Sequence, residues 1–418
     1  MLIHSASQLI TLAGDPQRGH ELGRLQIIPN GAVLLRDGII IETGTTLDLM
    51  NKYPREERMD ANGKAVLPGF VDPHTHLVWA GDRAAEFEAR LQGKTYLEIM
   101  ADGGGINATV SATRAASSEN LLQQTRARAQ AMFRHGTTTA EAKTGYGLEL
   151  KAELAQLDVL LTLNKEGPLE IWPTFLAAHA IPLEFAGNEE AYAQLVWSEM
   201  LPALKEWWKI KAPDRPLPFM DVFCEKGAFS LAQTRQILIA AKTLGFPFKA
   251  HVDEFENLGA AGLACELGAV SVDHAVKTSP TESSFNGKSD TVVVSLPCTP
   301  FGLAEPHYTP AKEFLAADAI LALATDLNPG TAWCESQQFV MALACRYLKL
   351  TPAQALAAVT INAARAIQRE NRVGSLEPGK QADLLILSVE DYRQLAYRFG
   401  GNLVQTVIKK GLLYPNPD

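Results

Sequence analysis

The sequence predicts an α/β protein: a closed, TIM-like (β/α)₈ barrel with a small, discontinuous β-sandwich-like domain built from both termini. Three observations carry that expectation. Eight short apolar or β-branched runs recur through the middle of the chain, each followed by a stretch that can be helical. Strand-like material lies at both ends, with too little at either end to bury a core by itself. Histidines and an aspartate recur at the C-terminal ends of the central runs, where a barrel houses its chemistry.

In chain order, Ala32–Leu35 and Ile39–Glu42 are short apolar strands around Arg36, Asp37 and Gly38, and Asp-Gly favours a tight hairpin turn. The central runs lie near 66–73, 137–142, 171–178, 219–224, 247–252, 269–273, 291–296 and 319–325. Ser118–Arg134, Leu150–Asn164, Glu189–Trp208, Leu231–Leu244 and Glu335–Leu348 read as helices among them. Strand-like texture returns as ADLLILSV (382–389) and LVQTVIKKGLLY (403–414). The composite β-domain is therefore expected at 1–66 with 371–418, and the barrel at 67–370. The alternation alone also allows a doubly wound open sheet. Against it, no GxGxxG follows an early strand, and Gly103–Gly105 has neither a strand leading in nor a phosphate-binding lysine after it.

Composition excludes several classes. The chain is 47% hydrophobic and 20% charged, ordinary for a water-soluble globular protein. Lys and Arg number 38 against 47 Asp and Glu, a formal charge of −9, and no basic run reaches five, so neither nucleic acid nor an anionic membrane is an expected partner. Five cysteines without a CxxC pair argue against a disulfide scaffold or a thiolate zinc site and fit a reducing cytoplasm. MLIHSASQLITLAG lacks the basic start and apolar stretch of a signal peptide, and apolar runs such as Ala319–Ala324 are too short to span a bilayer. The expected location is cytoplasmic.

Of nine histidines, His74 and His76 follow the first barrel strand, His179 ends the third, His251 the fifth and His274 the sixth; Asp326 ends the eighth. Neutral imidazoles with a carboxylate and no thiolate suit Zn²⁺ or iron, and suit Ca²⁺ or Mg²⁺ poorly. On an extended segment His74 and His76 point to one side while Thr75 faces away. Three imidazoles and a carboxylate leave room for a water, which a metal acidifies to a pKa of about 7. Taken singly each residue has a plainer reading: HxH is a short motif, His251 fits a core histidine, and Asp326 fits a helix N-cap. Their joint placement at strand C-termini is what points to a metal site. His4, His20 and His135 read as structural, the last as an imidazolium at a helix end, and His307 sits in a Pro-rich loop. Trp207–Trp208 reads as helix packing, and Arg126 and Arg128 as a solvated helix face.

VLPGFVDPHTH (66–76), KAHVDE (249–254), VDH (272–274) and ATD (324–326) together resemble the amidohydrolase superfamily, over nearly the whole chain. HLVWAGDRAAEFEARLQGKTY (76–96), GGGI (103–106), KTGYGL (143–148), AAHAIPLEF (177–185) and ATDLNPGT (324–331) are similar, within it, to the imidazolonepropionase family. The resemblance implies one Zn²⁺ or iron ion per chain on His74, His76, His251 and Asp326, with Glu254, His274 and Asp326 catalytic. It implies substrate contacts by Arg83, Tyr96, Tyr146, His179, Glu254, Asn328, Gly330 and Thr331, and a homodimer. The implied reaction is hydrolysis of the cyclic amide of 4-imidazolone-5-propanoate to N-formimidoyl-L-glutamate, in histidine degradation.

These residues make chemical sense of that reaction. Charge develops on the ring carbonyl oxygen and needs a metal or a donor such as His274, and the cleaved ring nitrogen needs a proton from Asp326 or Glu254. Arg83 suits the propanoate tail as a forked partner, or it forms a salt bridge with Glu86 or Glu88; charge alone leaves the two level, and the resemblance favours the clamp. VDHAVKT and SLPCTPFGLAEPHYTP (295–310) depart from the family pattern, and neither is expected to touch the metal set. Three rivals follow from the same residues. A deaminase of this superfamily shares the metal set but has no use for a carboxylate clamp. A two-metal hydantoinase-type enzyme would carry a lysine at the end of strand four, where this chain has Cys224, Glu225 and then Lys226. A non-catalytic scaffold would be expected to lack at least one ligand.

Overall fold

The computed structural model describes residues 1–94, 98, 103–279 and 289–416; Tyr96 lies outside them. The termini build one mixed, largely antiparallel sheet. Its N-terminal strands are β1 (Leu2–Ile10), β2 (Ile27–Arg36), β3 (Ile39–Thr45), β4 (Arg58–Asp60) and β5 (Val66–Pro68). Alternation decides which way each residue faces. Val33 and Leu35 join Ile3, Val66, Leu384, Ile386 and Ile408 in one apolar cluster, whereas Ala32 and Leu34 pack with Leu2 and Leu49 on the other face.

The barrel is a parallel sheet whose strands follow one another in chain order: β6 (Phe70–Asp72), β7 (Thr137–Lys143), β8 (Glu170–Ala178), β9 (Phe219–Cys224), β10 (Lys249–Val252), β11 (Ser271–His274), β12 (Val292–Ser295) and β13 (Ile320–Leu323). It closes just beyond the ends of β6 and β13. There Asp326 N donates to His74 O at 3.1 Å, and His76 N donates to Leu327 O at 2.9 Å. The terminal sheet is completed by β14 (Leu384–Leu387), which pairs with β5, then β15 (Val404–Lys409) and β16 (Leu412–Pro415).

The run expected as a single strand at 66–73 is two strands. Gly69 separates β5 from β6, because a Cβ there would collide with the Thr138 side chain. One apolar run thus feeds both sheets. The helices start where side chains can cap them: Ser117, Ser230, Ser336 and Thr351 each accept a backbone N–H of the first turn, Ser230 and Thr351 within full capping boxes. The stretch expected at Glu189–Trp208 runs on to Lys211 through a wider π turn at Val196–Met200.

The two sheets are joined by a buried ion cluster. Lys409 Nζ lies 2.8 Å from Asp383 Oδ2 and 3.2 Å from Glu170 Oε2, linking β15 to the start of β8. Burial opposes ionisation of Glu170, but Lys409, the Gln381 amide and Lys410 together outweigh it and hold that carboxyl down at about 2. Arg126 does lie on a solvated face, paired with Glu166, but Arg128 does not. It is buried, stacks 3.5 Å over the Trp79 ring, and donates to Leu77 O and Trp79 O at 3.0 and 2.7 Å. His135 is likewise no imidazolium, since burial lowers its pKa. Among the described residues no helix is long and apolar enough to cross a membrane, and none of the five cysteines is in a disulfide.

Candidate metal centre and active site

The strand ends bring the ligands together. His74 and His76 follow β6, His251 is the third residue of β10, and Asp326 follows β13; all four are buried. His74 Nε2 and His76 Nε2 lie 3.3 and 3.4 Å from Asp326 Oδ1, and His251 Nε2 lies 3.3 Å from His76 Nε2. For ligand bonds of about 2.0–2.1 Å, the edge of a coordination tetrahedron is about 3.3 Å. His74 Nε2 and Asp326 Oδ1 have no hydrogen-bond partner among the described residues, although both are buried. Orphaned buried acceptors are costly in the absence of a cation. His274 also approaches this point, since His74, His251 and His274 form a second group of ligand atoms within 4.8 Å of one another.

The imidazoles are held in the form that ligates. Burial, then neighbouring charge, keeps His74, His76 and His274 neutral, well below the ordinary histidine range. His74 Nδ1 is 2.6 Å from Asp273 Oδ2, and His251 Nδ1 is 3.1 Å from Asp221 Oδ2. A carboxylate can only accept, so the Nδ1 of His74 carries the proton and its Nε2 presents its lone pair, whereas His251 Nδ1 lies close to Asp221 without a hydrogen bond between them. Beneath them Lys143 Nζ lies 2.7 Å from Glu141 Oε1, 2.8 Å from Asp221 Oδ2 and 3.8 Å from Asp273 Oδ2. Lys249 Nζ adds a bond to Pro73 O at 2.6 Å and lies 3.6 Å from Asp273. Two buried lysines thus face three buried carboxylates, Glu141, Asp221 and Asp273.

Around this centre stand the other predicted residues. Glu254 Oε2 is 3.7 Å from His274 Nε2; burial, with Asp326 and Glu225 adding to it, pushes the Glu254 carboxyl well above the usual range. Burial also raises Asp326 to about 6, against the bonds from Thr299 and Asn328. His179 stacks on His76 with centroids 4.8 Å apart and donates through Nδ1 to Gly145 O at 3.0 Å, leaving Nε2 as an acceptor. Burial lowers it to about 3. Tyr146 packs 5.3 Å from His179, its phenol kept protonated by burial. Glu153 fastens this loop by accepting from Gly145 N, Gly147 N and Leu148 N.

Arg83 caps the helix Ala84–Leu91, and its Nε and Nη2 donate to Glu86 Oε2 at 2.9 and 2.7 Å. Its Nη1 borders Gly330, where any Cβ would strike it. The Asn328 side chain is turned into its own loop. It accepts from Gly330 N and Thr331 N at 2.8 Å and donates to Asp326 O at 2.7 Å. Lys226 is exposed and paired with Glu256, so the end of β9 places no lysine at the centre.

One expectation fails: the 295–310 segment does touch the ligands. Thr299 donates to the second oxygen of Asp326, and Thr309 Oγ1 donates to His274 O at 2.7 Å. Helix Cys298–Leu303 carries Thr299 across the mouth from β12. Also missed were Glu141, Lys143, Asp221, Lys249 and Asp273. Their signal lies in period-two pairs within strands, Glu141 with Lys143, Lys249 with His251, and Ser271 with Asp273, which point charge into a barrel interior. Asp273 and His274 are adjacent, yet both reach the cluster because His274 takes a left-handed φ of 74°, which breaks the alternation.

The family model described as "Amidohydrolase family" matches residues 65–413. Imidazolonepropionase of Herpetosiphon aurantiacus is 50% identical over 98% of this chain and 96% of its own length. That of Chloroflexus aggregans is 49% identical over 98% and 97%. Among solved structures, an adenosine deaminase from Xanthomonas campestris with bound zinc superposes with a TM-score of 0.70 at 19% identity, covering 99% of this chain and 92% of that one. The guanine deaminase of E. coli gives 0.70 at 15% identity over 100% and 99%, a likeness of fold alone. With a family model matching 65–413 and relatives near half identity end to end, the chain belongs to the amidohydrolase family and, within it, to the imidazolonepropionases.

Proposed function

We propose that this enzyme hydrolyses the cyclic amide of 4-imidazolone-5-propanoate to N-formimidoyl-L-glutamate in histidine degradation. The hydrolytic reading is supported by a chain of buried contacts: His74 and His76 Nε2 lie 3.3 and 3.4 Å from Asp326 Oδ1, and His251 Nε2 lies 3.3 Å from His76 Nε2. The substrate follows from the name its close relatives bear. Those four residues would hold one Zn²⁺ or iron ion per chain. When bound, the ion supplies Lewis acidity, which makes water a competent nucleophile at neutral pH and polarises the ring carbonyl.

The chain's own groups do the rest. Neutral His274 donates to the oxygen on which charge develops. Glu254, kept protonated by burial, delivers a proton to the departing ring nitrogen, and Asp326 takes up the proton released by the attacking water. His179 Nε2 accepts a ring N–H, and the Tyr146 hydroxyl donates to the substrate. Arg83 binds the propanoate, Tyr96 is a further substrate contact by resemblance to the family, and the 328–331 loop shaped by Asn328 forms the wall against which Gly330 and Thr331 meet it. The reaction belongs in the cytoplasm, and the working unit is a homodimer.

Mass spectrometry of the products from freshly generated substrate tests the reading. Gain of one water without ammonia is expected; ammonia release would assign the chain to deaminase chemistry instead.

A further inference from the structure

We propose that Lys143 is a positioning residue for the whole ligand set, its one ammonium tying together the three buried carboxylates that aim His74, the His74–His76 backbone and His251. The inference rests on the reading of these histidines as metal ligands. Asp273 takes His74 Nδ1 at 2.6 Å, and Asp221 lies 3.1 Å from His251 Nδ1. Glu141 accepts the backbone N–H of Thr75, between the two histidines, at 3.1 Å, and Thr75 Oγ1 donates back to Glu141 O at 2.7 Å. Lys143 lies within 4 Å of all three carboxylates and is itself fully buried.

Without Lys143, Glu141 and Asp221 would lose their close ammonium and Asp273 would keep only Lys249; the crowded carboxylates would repel one another, and each would turn away from the group it holds or take up a proton. Lys143 removes both options. It stands at the end of β7, next to the strand that leads into His74, and its backbone N–H donates to Thr75 O at 2.9 Å. Lys249 replaces it only at Asp273, 3.6 Å away: that ammonium is bonded to Pro73 O, and neither Glu141 nor Asp221 lies within 4 Å of it.

The positioning role and simple charge repulsion predict opposite signs. A lysine near a cation site weakens cation binding by Coulomb's law, so its removal should tighten binding if positioning were irrelevant. Loss of a group that orients ligands typically weakens metal affinity roughly ten- to hundred-fold. The experiment is chelator competition with Zn²⁺ and the visible spectrum of the Co²⁺-substituted protein, for wild type and Lys143→Met. Expected are a dissociation constant at least tenfold higher and a shifted cobalt band. An affinity within threefold of wild type or tighter, or an unchanged cobalt band, overturns the role of Lys143. Should Lys143→Met fail to fold, Lys143→Gln is held to the same two criteria. A wild-type chain that binds neither ion overturns both this inference and the metal reading beneath it.

Discussion

Replacing Arg83 by methionine keeps the aliphatic stem and removes only the guanidinium. Its effect can be sized from how that group is already used. Glu86 occupies Nε and Nη2, at 2.9 and 2.7 Å, so the forked face is taken. Nη1, beside Gly330, is the edge left for the propanoate. One charge-assisted bond is worth about 1.5–3 kcal/mol, or roughly ten- to hundred-fold in affinity, and a full fork would be worth more. We therefore expect Arg83→Met to raise KM by roughly ten- to hundred-fold with kcat within about threefold, because the contact lies away from the reacting carbon. Steady-state rates over a range of fresh substrate give both constants. A fall in kcat at constant KM would refute the reasoning, and so would an unchanged KM. Glu86→Gln adds a control: its amide oxygen can still accept from Arg83 but no longer competes for it as a charge, and KM should stay level or fall.

His74→Ala should lose bound metal and activity together, as read by elemental analysis beside turnover; a variant that keeps one ion per chain contradicts the ligand set. Glu254→Gln should retain metal and lower kcat by about 10²–10⁴, the usual worth of a positioned acid, and an undiminished kcat would remove it from proton transfer. Glu170 carries a signed pH prediction. Its folded pKa of about 2 lies below the ordinary 4.5, so its contribution is complete above pH 4.5 and is lost as the pH falls towards 2. That gap is worth about 3 kcal/mol at most, so Glu170→Gln should destabilise the protein near neutrality by up to that amount and progressively less below pH 4. An equal loss at both pH values, by denaturant melts, would assign the effect to packing instead.

The barrel and the residues gathered in the candidate site were legible because most barrel strands are short apolar runs ended by a polar group. His74, His76, His251, His274 and Asp326 interrupt those runs where a barrel exposes its mouth. What stayed hidden depends on contacts distant in sequence. Arg128 has the spacing of an exposed helix residue, and only the indole of Trp79 and two carbonyls after His76 make it a buried one. Thr299 sits in a segment without family character, and its bond to Asp326 exists because helix Cys298–Leu303 crosses between neighbouring strand ends. Lys143 and Glu141 read as ordinary strand residues until the interior of the barrel is known to be charged. The break at Gly69 has a local cue in Pro68-Gly69, but its cause is Thr138 on the next strand.

The seam that closes the barrel also sets a timetable. Its two halves are the segments bearing His74, His76 and Asp326, which donate backbone bonds to each other across the join. During synthesis the histidine pair emerges early, and the aspartate emerges only with the eighth barrel strand. Until then neither the ring of strands nor the buried cluster of His74, His76 and Asp326 exists. Even after the ring shuts, β5 still waits for β14, the strand that couples the first residues to the last. Assembly of the cluster is thereby deferred to a nearly finished polypeptide.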